Sequence, residues 1–343
     1  MGKTALITGI TGQDGLYLAR FLLQKKYTVH GLILYGPHSD VPSDIKSHKN
    51  FTAHHGDVTD ASSIQRLINT IMPDEIYNLA AQSHVQVSFD TPIATAQING
   101  IGVVNMLEAL RACEGKSIRF YQAGSSEMFG NAPAPQNEDT PLRPCSPYGA
   151  AKAYAHHMVR IYREAYDLFA VNGILFNHES PGRGDHFVTQ KIIKAAVAIA
   201  QGEQDILYLG NIDAERDWGH AADYVRGMWL MLQQDKPDDY VLATGQNITV
   251  RAFAALVFAA CGHDIEWSGQ GVDMCGKDKQ TGKILIRTDK DLYRPLELSS
   301  LRGDATKAHN ILGWQPNYDL DALIDDMLSG EGFTTQITRK QQA

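Results

Sequence analysis

The sequence predicts an α/β protein built around a doubly wound parallel sheet. Two observations support this fold class. Apolar, strand-like segments alternate with helix-like segments along the first third of the chain, and a glycine-rich turn directly follows the first strand. Strands that alternate with helices in this way favour a parallel sheet with helices on both faces. The predicted strands cover residues 4–8, 27–35, 51–56, 74–81 and 118–123, and the predicted helices cover residues 16–23, 63–71 and 101–113.

The glycine turn carries the first functional signal. Gly9, Gly12 and Gly15 are evenly spaced between a buried-type strand and a helical pattern. In a dinucleotide-binding turn the first glycine permits the tight turn, the second lets the backbone approach a pyrophosphate, and the third lets helix and strand pack closely. The N–H groups at the start of the helix then face the phosphates. An ordinary βα turn is the alternative, and the position of this turn right after the first strand favours dinucleotide binding.

The composition restricts the classes of function. The 343-residue chain suits one large domain or two closely packed ones, and its net charge of −8 argues against a nucleic-acid partner. Its apolar runs are shorter than the roughly 20 residues that a membrane span needs, and no signal-peptide pattern precedes the first strand. The four cysteines lack the spacing of a metal site, which is typical of reduced thiols in the cytosol. We therefore expect a cytoplasmic protein without a metal site or membrane partner.

The end of the second strand is where a dinucleotide fold selects its cofactor. An acidic residue there binds the adenosine ribose, and an arginine accommodates the 2′-phosphate of NADP. Leu34 and Tyr35 occupy this place and are neither. Asp57, at the end of the third strand, is placed to meet the adenine ring, although Asp57 or Asp60 could instead cap the following helix. Residues 82–84, after the fourth strand, are expected to lie over the cofactor.

Two segments after the fifth strand predict the chemistry. Ser125 and Glu127 follow the strand at the edge where α/β sheets handle ligands, although a serine-rich turn with a capping glutamate would look similar. Tyr148 and Lys152 are four residues apart and share one face of a predicted helix. A lysine ammonium near a phenol favours phenolate and is expected to lower the phenol pKa from about 10 toward neutrality. Tyr148 would then be a base that removes a hydroxyl proton during hydride transfer.

A set of motifs over residues 3 to about 328 resembles the extended short-chain dehydrogenase/reductase superfamily, and within it the GDP-mannose 4,6-dehydratase family. The run Asn-Gly-Ile-Leu-Phe-Asn-His-Glu-Ser-Pro at residues 172–181 is much more specific than the glycine turn. The other family-like segments are residues 9–15, 77–84, 120–123, 216–220 and 293–295.

The resemblance implies a Rossmann-type sheet with a smaller, discontinuous substrate-binding domain. The implied dinucleotide-binding domain comprises residues 1–172 with 217–242 and 311–330. The implied nucleotide-sugar-binding domain comprises residues 173–216 and 243–310, and the active site is expected in the cleft between the two.

The activity implied by the resemblance is dehydration of a GDP-sugar with an internally recycled nicotinamide cofactor. C4 of the hexose is oxidised, water leaves across C5 and C6, and the stored hydride returns to C6. Tyr148 is implied as the base for the oxidation. Lys152 is implied to lower the pKa of Tyr148 and to contact a ribose, and Ser125 is implied to form a hydrogen bond with the C4 oxygen. Glu127 is implied to take the C5 proton and to supply one to the departing hydroxyl. Because the middle residue of this motif is Ser126, Glu127 serves both steps or a water helps.

The motifs and the resemblance together give two sets of binding residues. Arginine and lysine suit phosphate oxygens, and a carboxylate can accept hydrogen bonds from guanine. The candidate cofactor contacts are Gly9, Thr11, Gly12, Gln13, Asp14, Gly15, Asp57, Val58, Leu79, Ala80, Ser83, Tyr148, Lys152, His178 and Arg183. The candidate substrate contacts are Ser83, Ser125, Asn177, Val188, Lys191, Arg216, Arg294 and Glu297.

Two departures from the family pattern leave choices open. Leu34 and Tyr35 replace paired arginines that suit NADP and contacts between subunits. We expect NADP, since no acidic residue favours NAD, with NAD as the alternative, and we expect a homodimer or homotetramer. Ser125 replaces a threonine, so the hydroxyl is kept and the methyl that restrains its rotamer is lost. The extra room makes GDP-manno-heptose an alternative substrate to GDP-mannose.

Two other functional classes compete with a dehydratase. A net reductase or epimerase would share Tyr148 and Lys152 but would not need Glu127. A non-catalytic nucleotide sensor could keep the glycine turn but would have no reason to keep the serine, glutamate, tyrosine and lysine together.

Overall fold

The predicted fold class is confirmed by a computed structural model that describes residues 2–36, 39–293 and 296–334. Its centre is a seven-stranded sheet in which all neighbouring strands are parallel, in the order β11-β6-β5-β4-β1-β2-β3. The strands in chain order are β1 (Thr4–Thr8), β2 (Thr28–Ile33), β3 (Phe51–His55), β4 (Glu75–Asn78), β5 (Arg119–Ala123), β6 (Ala170–Leu175), β7 (Asn177–Glu179), β8 (Leu207–Leu209), β9 (Glu215–Arg216), β10 (Trp218–His220), β11 (Asp239–Leu242), β12 (Ile248–Thr249), β13 (Ile265–Ser268), β14 (Cys275–Asp278) and β15 (Ile284–Thr288).

Helices cover the sheet on both faces. They are α1 (Gln13–Gln24), α2 (Ser43–Lys46), α3 (Ala61–Ile71), α4 (Val85–Asp90), α5 (Pro92–Ala96), α6 (Gly102–Arg111), α7 (Pro147–Tyr166), α8 (Val188–Ala200), α9 (Ala221–Met231), α10 (Val250–Ala260), α11 (Thr306–Leu312) and α12 (Leu320–Gly330). A π-helical turn over Gln97–Ile101 joins α5 to α6, and short 3₁₀ helices occur at Ser126–Phe129, Gly271–Asp273 and Lys290–Leu292. Each helix in the described part of the chain is too short or too polar to cross a membrane.

The first turn of the fold depends on two glycines. Gly9 has a φ of +66°, and a Cβ placed there would lie 2.8 Å from the backbone nitrogen of Ala80. A Cβ at Gly15 would lie 2.4 Å from the carbonyl oxygen of Gly9. Side chains at these positions would force β1, α1 and the end of β4 apart, so the close packing needs glycine.

A second hydrophobic core lies beside the central sheet. It forms between α8, α10 and the four-stranded sheet β13-β14-β15-β8. The apolar face of α12 contributes Leu323, Ile324, Met327 and Leu328 to this core, while Leu312 and Trp314 pack under the central sheet. The range 311–330, expected with the dinucleotide-binding domain, therefore contributes to both cores, and the division into two domains stays a prediction.

The predicted strands and helices occur where the sequence placed them, with different ends. β2 is shorter than residues 27–35, and β4 is shorter than residues 74–81, because the chain turns away at the carboxyl edge of the sheet. The helix expected over residues 101–113 is α6, and the π-helical turn extends it in the N-terminal direction to α5.

Candidate active site

Ser125 and Glu127 sit directly beyond the carboxyl end of β5. The Ser125 side-chain oxygen accepts a hydrogen bond from the Glu127 backbone N–H at 3.2 Å and so caps the short helix Ser126–Phe129. Ser125 is buried, whereas Glu127 is partly exposed and lines the neighbouring cleft. The serine-rich turn is therefore also a helix cap, and the cap fixes the direction in which the Glu127 carboxylate leaves the sheet.

The start of α7 brings Tyr148 against this turn. Ser146 caps the helix by accepting a hydrogen bond from the Gly149 N–H at 3.0 Å, and Pro147 occupies the first helical position. A Cβ at Gly149 would lie 2.7 Å from the carbonyl oxygen of Glu127, so the two backbones are in close contact. This contact places Tyr148 and Glu127 in the wall of one cleft.

Lys152 lies one turn further along α7 and is almost fully buried. Its Nζ donates a hydrogen bond to the backbone carbonyl oxygen of Ala123 at 2.8 Å. Burial lowers the pKa of Lys152 to about 8, and the negative charge of Asp14 opposes that shift. The carbonyl of Ala123 at the end of β5 therefore holds the ammonium group under the site.

The expected effect of Lys152 on the Tyr148 phenol is wrong for the protein alone. Burial raises the pKa of Tyr148 to about 12, although a hydrogen bond with Ser125 acts in the opposite direction. The Nζ atom of Lys152 lies 5.8 Å from the centroid of the Tyr148 ring and bonds to a carbonyl. The attraction of that ammonium group is too weak to offset the cost of burying a phenolate. The neutral phenol is therefore the stable form.

The glycine turn has the open geometry that a diphosphate needs. Gly12 is the cap residue of α1 and has no side chain to occupy the first backbone N–H groups of the helix. A Cβ at Gly12 would meet only the Gly9 carbonyl oxygen, at 3.3 Å. The turn therefore presents backbone donors and a positive helix end at the carboxyl edge of the sheet, which fits the pyrophosphate of a dinucleotide.

Asp14 and His178 form a largely buried ion pair between the glycine turn and β7. Nε2 of His178 lies 2.8 Å from Oδ2 of Asp14, and Nδ1 of His178 lies 2.8 Å from the Phe176 carbonyl oxygen. Burial acts against both charges, but the attraction between them leaves the pKa of Asp14 lowered and that of His178 raised. Gln13 supports the pair by donating to the carbonyl oxygen of His178 at 3.1 Å, and it accepts from the Ser180 hydroxyl at 2.8 Å.

The candidate adenosine contacts lie at the ends of β3 and β4. Asp60, not Asp57, caps α3 by accepting from the Ser63 N–H at 3.0 Å, so the capping alternative fails for Asp57. Asp57 accepts from the Thr59 N–H at 2.9 Å and stays partly exposed. The other candidates here are Val58, which is buried, and Leu79 and Ala80, whose N–H groups each donate to the Thr8 hydroxyl oxygen at 3.1 Å.

The cleft in front of Tyr148 and Glu127 has a volume of about 370 Å³. The candidate substrate residues that line it are Ser83, Asn177, Val188, Lys191, Arg216 and Glu297. Ser125 lies behind its surface, and Arg294 lies outside the described residues. Sequence positions more than 200 residues apart thus meet on the two sides of one cleft.

The walls of this cleft carry three cationic side chains among several carboxylates. Arg216 is buried, and its Nη1 donates to the carbonyl oxygens of Glu215 at 2.8 Å and Leu298 at 3.0 Å. Arg183 forms an ion pair with the buried carboxylate of Glu179 at 2.8 Å. Lys191, which is exposed, and Arg216 are therefore the lining cations best placed to meet an anionic group of a ligand, since Arg183 is already paired with Glu179.

A stack of three rings lines the cleft, and two of its members were not predicted as part of the site. The rings of His84 and His186 stack with centroids 4.6 Å apart, and Phe187 packs next to His186 at 4.3 Å. All three line the cleft. His84 belongs to residues 82–84, which were expected to lie over the cofactor, whereas His186 and Phe187 gave no sequence signal, because only the fold brings their loop to His84.

In residues 2–36, 39–293 and 296–334, no three histidine, cysteine, aspartate or glutamate side chains group as metal ligands would.

Comparison with known proteins decides the family. The family model described as GDP-mannose 4,6 dehydratase matches residues 6–327. The chain belongs to the GDP-mannose 4,6-dehydratase family. Curated family members include a GDP-mannose 4,6-dehydratase of Sinorhizobium fredii, 50% identical over 95% of this chain and 95% of that protein. The Homo sapiens GDP-mannose 4,6 dehydratase is 48% identical over 96% of this chain and 92% of its own length.

Solved structures with the same fold share much less sequence with this family member. The dTDP-glucose 4,6-dehydratase of Bacillus anthracis, solved in complex with NAD, superposes with a TM-score of 0.80 at 20% identity and covers 96% of this chain and 97% of its own. RMD from Pseudomonas aeruginosa, complexed with NADPH, has a TM-score of 0.74 at 23% identity, covering 96% and 98%. These similarities support the Rossmann-type fold.

The Asp14–His178 pair predicts a pH-dependent contribution to stability. His178, with a raised pKa, stabilises the fold below its ordinary pKa of 6.5, and this contribution is lost as the pH rises through the raised value. Asp14, with a lowered pKa, stabilises the fold above its ordinary pKa of 3.8, and this contribution is lost as the pH falls through the lowered value. Asp14→Asn should therefore destabilise the protein most between those two ordinary values, as measured by urea unfolding at pH 5 and pH 8.5.

The control for this measurement is Asp90→Asn, at an exposed position at the end of α4. The control should unfold like the wild type at both pH values. NMR titration of His178 should also show a lower pKa in Asp14→Asn by about one unit or more. An unchanged His178 pKa would show that the pair is not formed.

Proposed function

We propose that this chain is a GDP-mannose 4,6-dehydratase that converts GDP-mannose to GDP-4-keto-6-deoxymannose and water. The observation that carries the proposal is the meeting of Tyr148 and Glu127 in one cleft with Arg216 and Lys191. A phenol and a carboxylate can move the protons of an oxidation and an elimination, and the two cations can bind a diphosphate. Membership of the dehydratase family supports the same reaction.

The residues that would bind the cofactor are those of the glycine turn and the strand ends next to it. Gly9, Gly12 and Gly15 would bring the backbone to the pyrophosphate, Asp57 would face the adenine, and Lys152 would contact a ribose. A nicotinamide dinucleotide, when bound, supplies a hydride acceptor and the positive charge of its oxidised ring. We propose NADP because Leu34 and Tyr35, both largely exposed after β2, offer no carboxylate for the adenosine ribose of NAD.

Tyr148 would remove the proton from the C4 hydroxyl of the sugar. In the protein alone its raised pKa holds the phenol neutral, so positive charge has to be added before the phenolate can form at neutral pH. Ser125, which bonds to this phenol, would orient the C4 oxygen between the two hydroxyls. Lys152 would hold its proton under the site and favour the phenolate.

Glu127 would carry out the elimination. Oxidation at C4 acidifies the C5 proton, and the Glu127 carboxylate would take that proton and then protonate the C6 hydroxyl, which departs as water. The capping bond between Ser125 and the Glu127 N–H fixes the backbone that carries this carboxylate. Ser126 is buried behind it, so no second carboxylate of this motif competes for either proton.

The GDP portion would bind at the far end of the cleft. Arg216 and Lys191 suit the diphosphate, and the start of α8 at Val188 adds a helix end without a side-chain cap. Glu297 would accept hydrogen bonds from guanine, and Asn177 lines the wall between the two ends. Arg294 is proposed as a further phosphate contact from its family motif.

GDP-manno-heptose is the second candidate substrate. It differs at C6, next to the groups that act on C5 and C6. Ser125 has a smaller side chain than the family's usual threonine, and this difference favours a substrate with one more carbon.

We propose that the protein forms a homodimer or homotetramer through a face made by α5, the π-helical turn and α7. Ile93, Ile101, Tyr154 and Ile161 lie on these neighbouring elements with exposed fractions of 75%, 49%, 44% and 44%. Tyr154 and Ile161 are two helical turns apart, on the same face of α7. A second copy of the chain would cover these apolar side chains.

The function is tested by mass spectrometry of the purified protein incubated separately with GDP-mannose and GDP-manno-heptose, without added cofactor. We expect loss of one water from GDP-mannose, and release of NADP when the protein is denatured. Faster loss from the heptose would assign the second substrate. Unchanged sugar nucleotides, even after NADP or NAD is added, would overturn the function.

Glu127→Gln separates oxidation from elimination. The amide cannot take the C5 proton, so dehydration should fall by at least about 100-fold while reduced nicotinamide still accumulates and is seen by its ultraviolet absorbance. Glu164→Gln, at an exposed position on α7, is the matched control and should dehydrate at the wild-type rate. Dehydration retained by Glu127→Gln would remove this carboxylate from the mechanism.

Ile161→Glu tests the assembly. A buried carboxylate in the proposed interface should dissociate the oligomer, which light scattering after gel filtration would detect as a fall in molar mass. Ile311→Glu, at an exposed position on α11, should leave the molar mass unchanged. A monomeric wild type, or an unaffected Ile161→Glu oligomer, would contradict this interface.

A further inference from the structure

A row of buried polar side chains crosses the centre of the main sheet near its carboxyl edge. Thr8 of β1 is opposite Asn78 of β4, and Asn78 is opposite Gln122 of β5. All three side chains are at most 1% exposed. Central strands of parallel sheets are usually filled by Val, Ile and Leu, so three aligned polar residues need a physical reason.

These side chains form one hydrogen-bond chain with a single direction. The Thr8 hydroxyl donates to Oδ1 of Asn78 at 2.6 Å, and Nδ2 of Asn78 donates to Oε1 of Gln122 at 2.7 Å. Nε2 of Gln122 then donates to the backbone carbonyl oxygen of Ala123 at 3.0 Å. Each donor is polarised by the bond before it, which strengthens the chain.

Both ends of the chain lie at proposed functional groups. At one end, the backbone N–H groups of Leu79 and Ala80 donate to the Thr8 hydroxyl oxygen. At the other end, the Ala123 carbonyl oxygen accepts from Gln122 and also from Nζ of Lys152 at 2.8 Å. The chain therefore connects the backbone proposed to underlie the cofactor with the acceptor that holds the lysine.

We infer that Gln122 is a positioning residue, which fixes the Ala123 carbonyl and through it the Lys152 ammonium group, and that Asn78 and Thr8 hold Gln122 in the orientation that does this. The role of Lys152 in the reaction rests on the proposed function. The position of Lys152 does not, because the hydrogen bonds define it in the protein alone. The chain requires an amide at residue 122, since the side chain has to accept from Asn78 and donate to Ala123.

Gln122→Met tests the inference, because methionine has a similar length and neither accepts nor donates strongly. The Ala123 carbonyl remains in this variant but is no longer fixed by Gln122, so its bond to the buried ammonium, which favours the charged form, should weaken. Competitive acetylation with acetic anhydride at a series of pH values, followed by peptide mass spectrometry, should place half-reaction of Lys152 at a lower pH in the variant than in the wild type. Asp14 and Tyr148, the titratable groups that face Lys152, are unchanged in this variant.

Turnover gives the second readout. Lys152 does not line the substrate cleft, so kcat for GDP-mannose should fall by about tenfold or more in Gln122→Met while KM changes by less than about twofold. The alkaline limb of the kcat profile should move to lower pH together with the acetylation midpoint. A merely structural role of Gln122 would lower stability and leave both pH values in place.

Two matched variants at Thr8 test the same inference if Gln122→Met does not fold. Thr8→Val removes the hydroxyl and keeps the shape, whereas Thr8→Ser keeps the hydroxyl. Thr8→Val should shift the Lys152 midpoint in the same direction as Gln122→Met, and Thr8→Ser should match the wild type. A wild-type midpoint in Thr8→Val, or in folded Gln122→Met, would overturn the inference. Failure of the wild type to dehydrate GDP-mannose would overturn the proposed function alone.

Discussion

The ion pair between Asp14 and His178 is the interaction on which the arrangement of the site depends. Two charges taken out of water cost several kcal/mol each, and only close contact with further hydrogen bonds offsets that cost. Here the partners come from the glycine turn and from β7, so the first βα unit and the segment leading to α8 keep one relative position. Arg183 and Glu179 continue the network toward the cleft. These contacts therefore fix the proposed cofactor site and the proposed sugar site relative to each other.

Much of the fold and the reaction groups could be predicted because the signals are local. The alternation of strands and helices is a property of short segments, and it gave the parallel sheet. Gly15 is needed for a contact within the first βα unit, and the φ of +66° at Gly9 is a local property of the same turn, so their spacing was sufficient evidence. Tyr148 and Lys152 share a helix face for the same reason. The predicted family is confirmed by the match over residues 6–327.

The features that the sequence did not predict depend on contacts between distant segments. The His84–His186 stack joins two loops about 100 residues apart, and neither loop has a pattern that indicates the other. The predicted direction of the Tyr148 pKa shift was wrong for a related reason. Helix geometry predicts that Lys152 lies near Tyr148. It does not predict that the phenol is buried, or that a backbone carbonyl accepts the hydrogen bond of the ammonium group. Burial is a property of the whole fold, so a four-residue spacing could not supply it.

The order in which Tyr148 and Lys152 lose their protons has a consequence for the resting protein. Lys152, with a pKa of about 8, is deprotonated before Tyr148, with a pKa of about 12. Raising the pH alone therefore does not produce a phenolate beside an ammonium group. The reactive charge state has to be induced by what binds, which makes the tyrosine a latent base. A hydroxyl compound in the cleft of the resting protein would therefore meet a neutral phenol, which can donate a hydrogen bond to it but cannot take its proton.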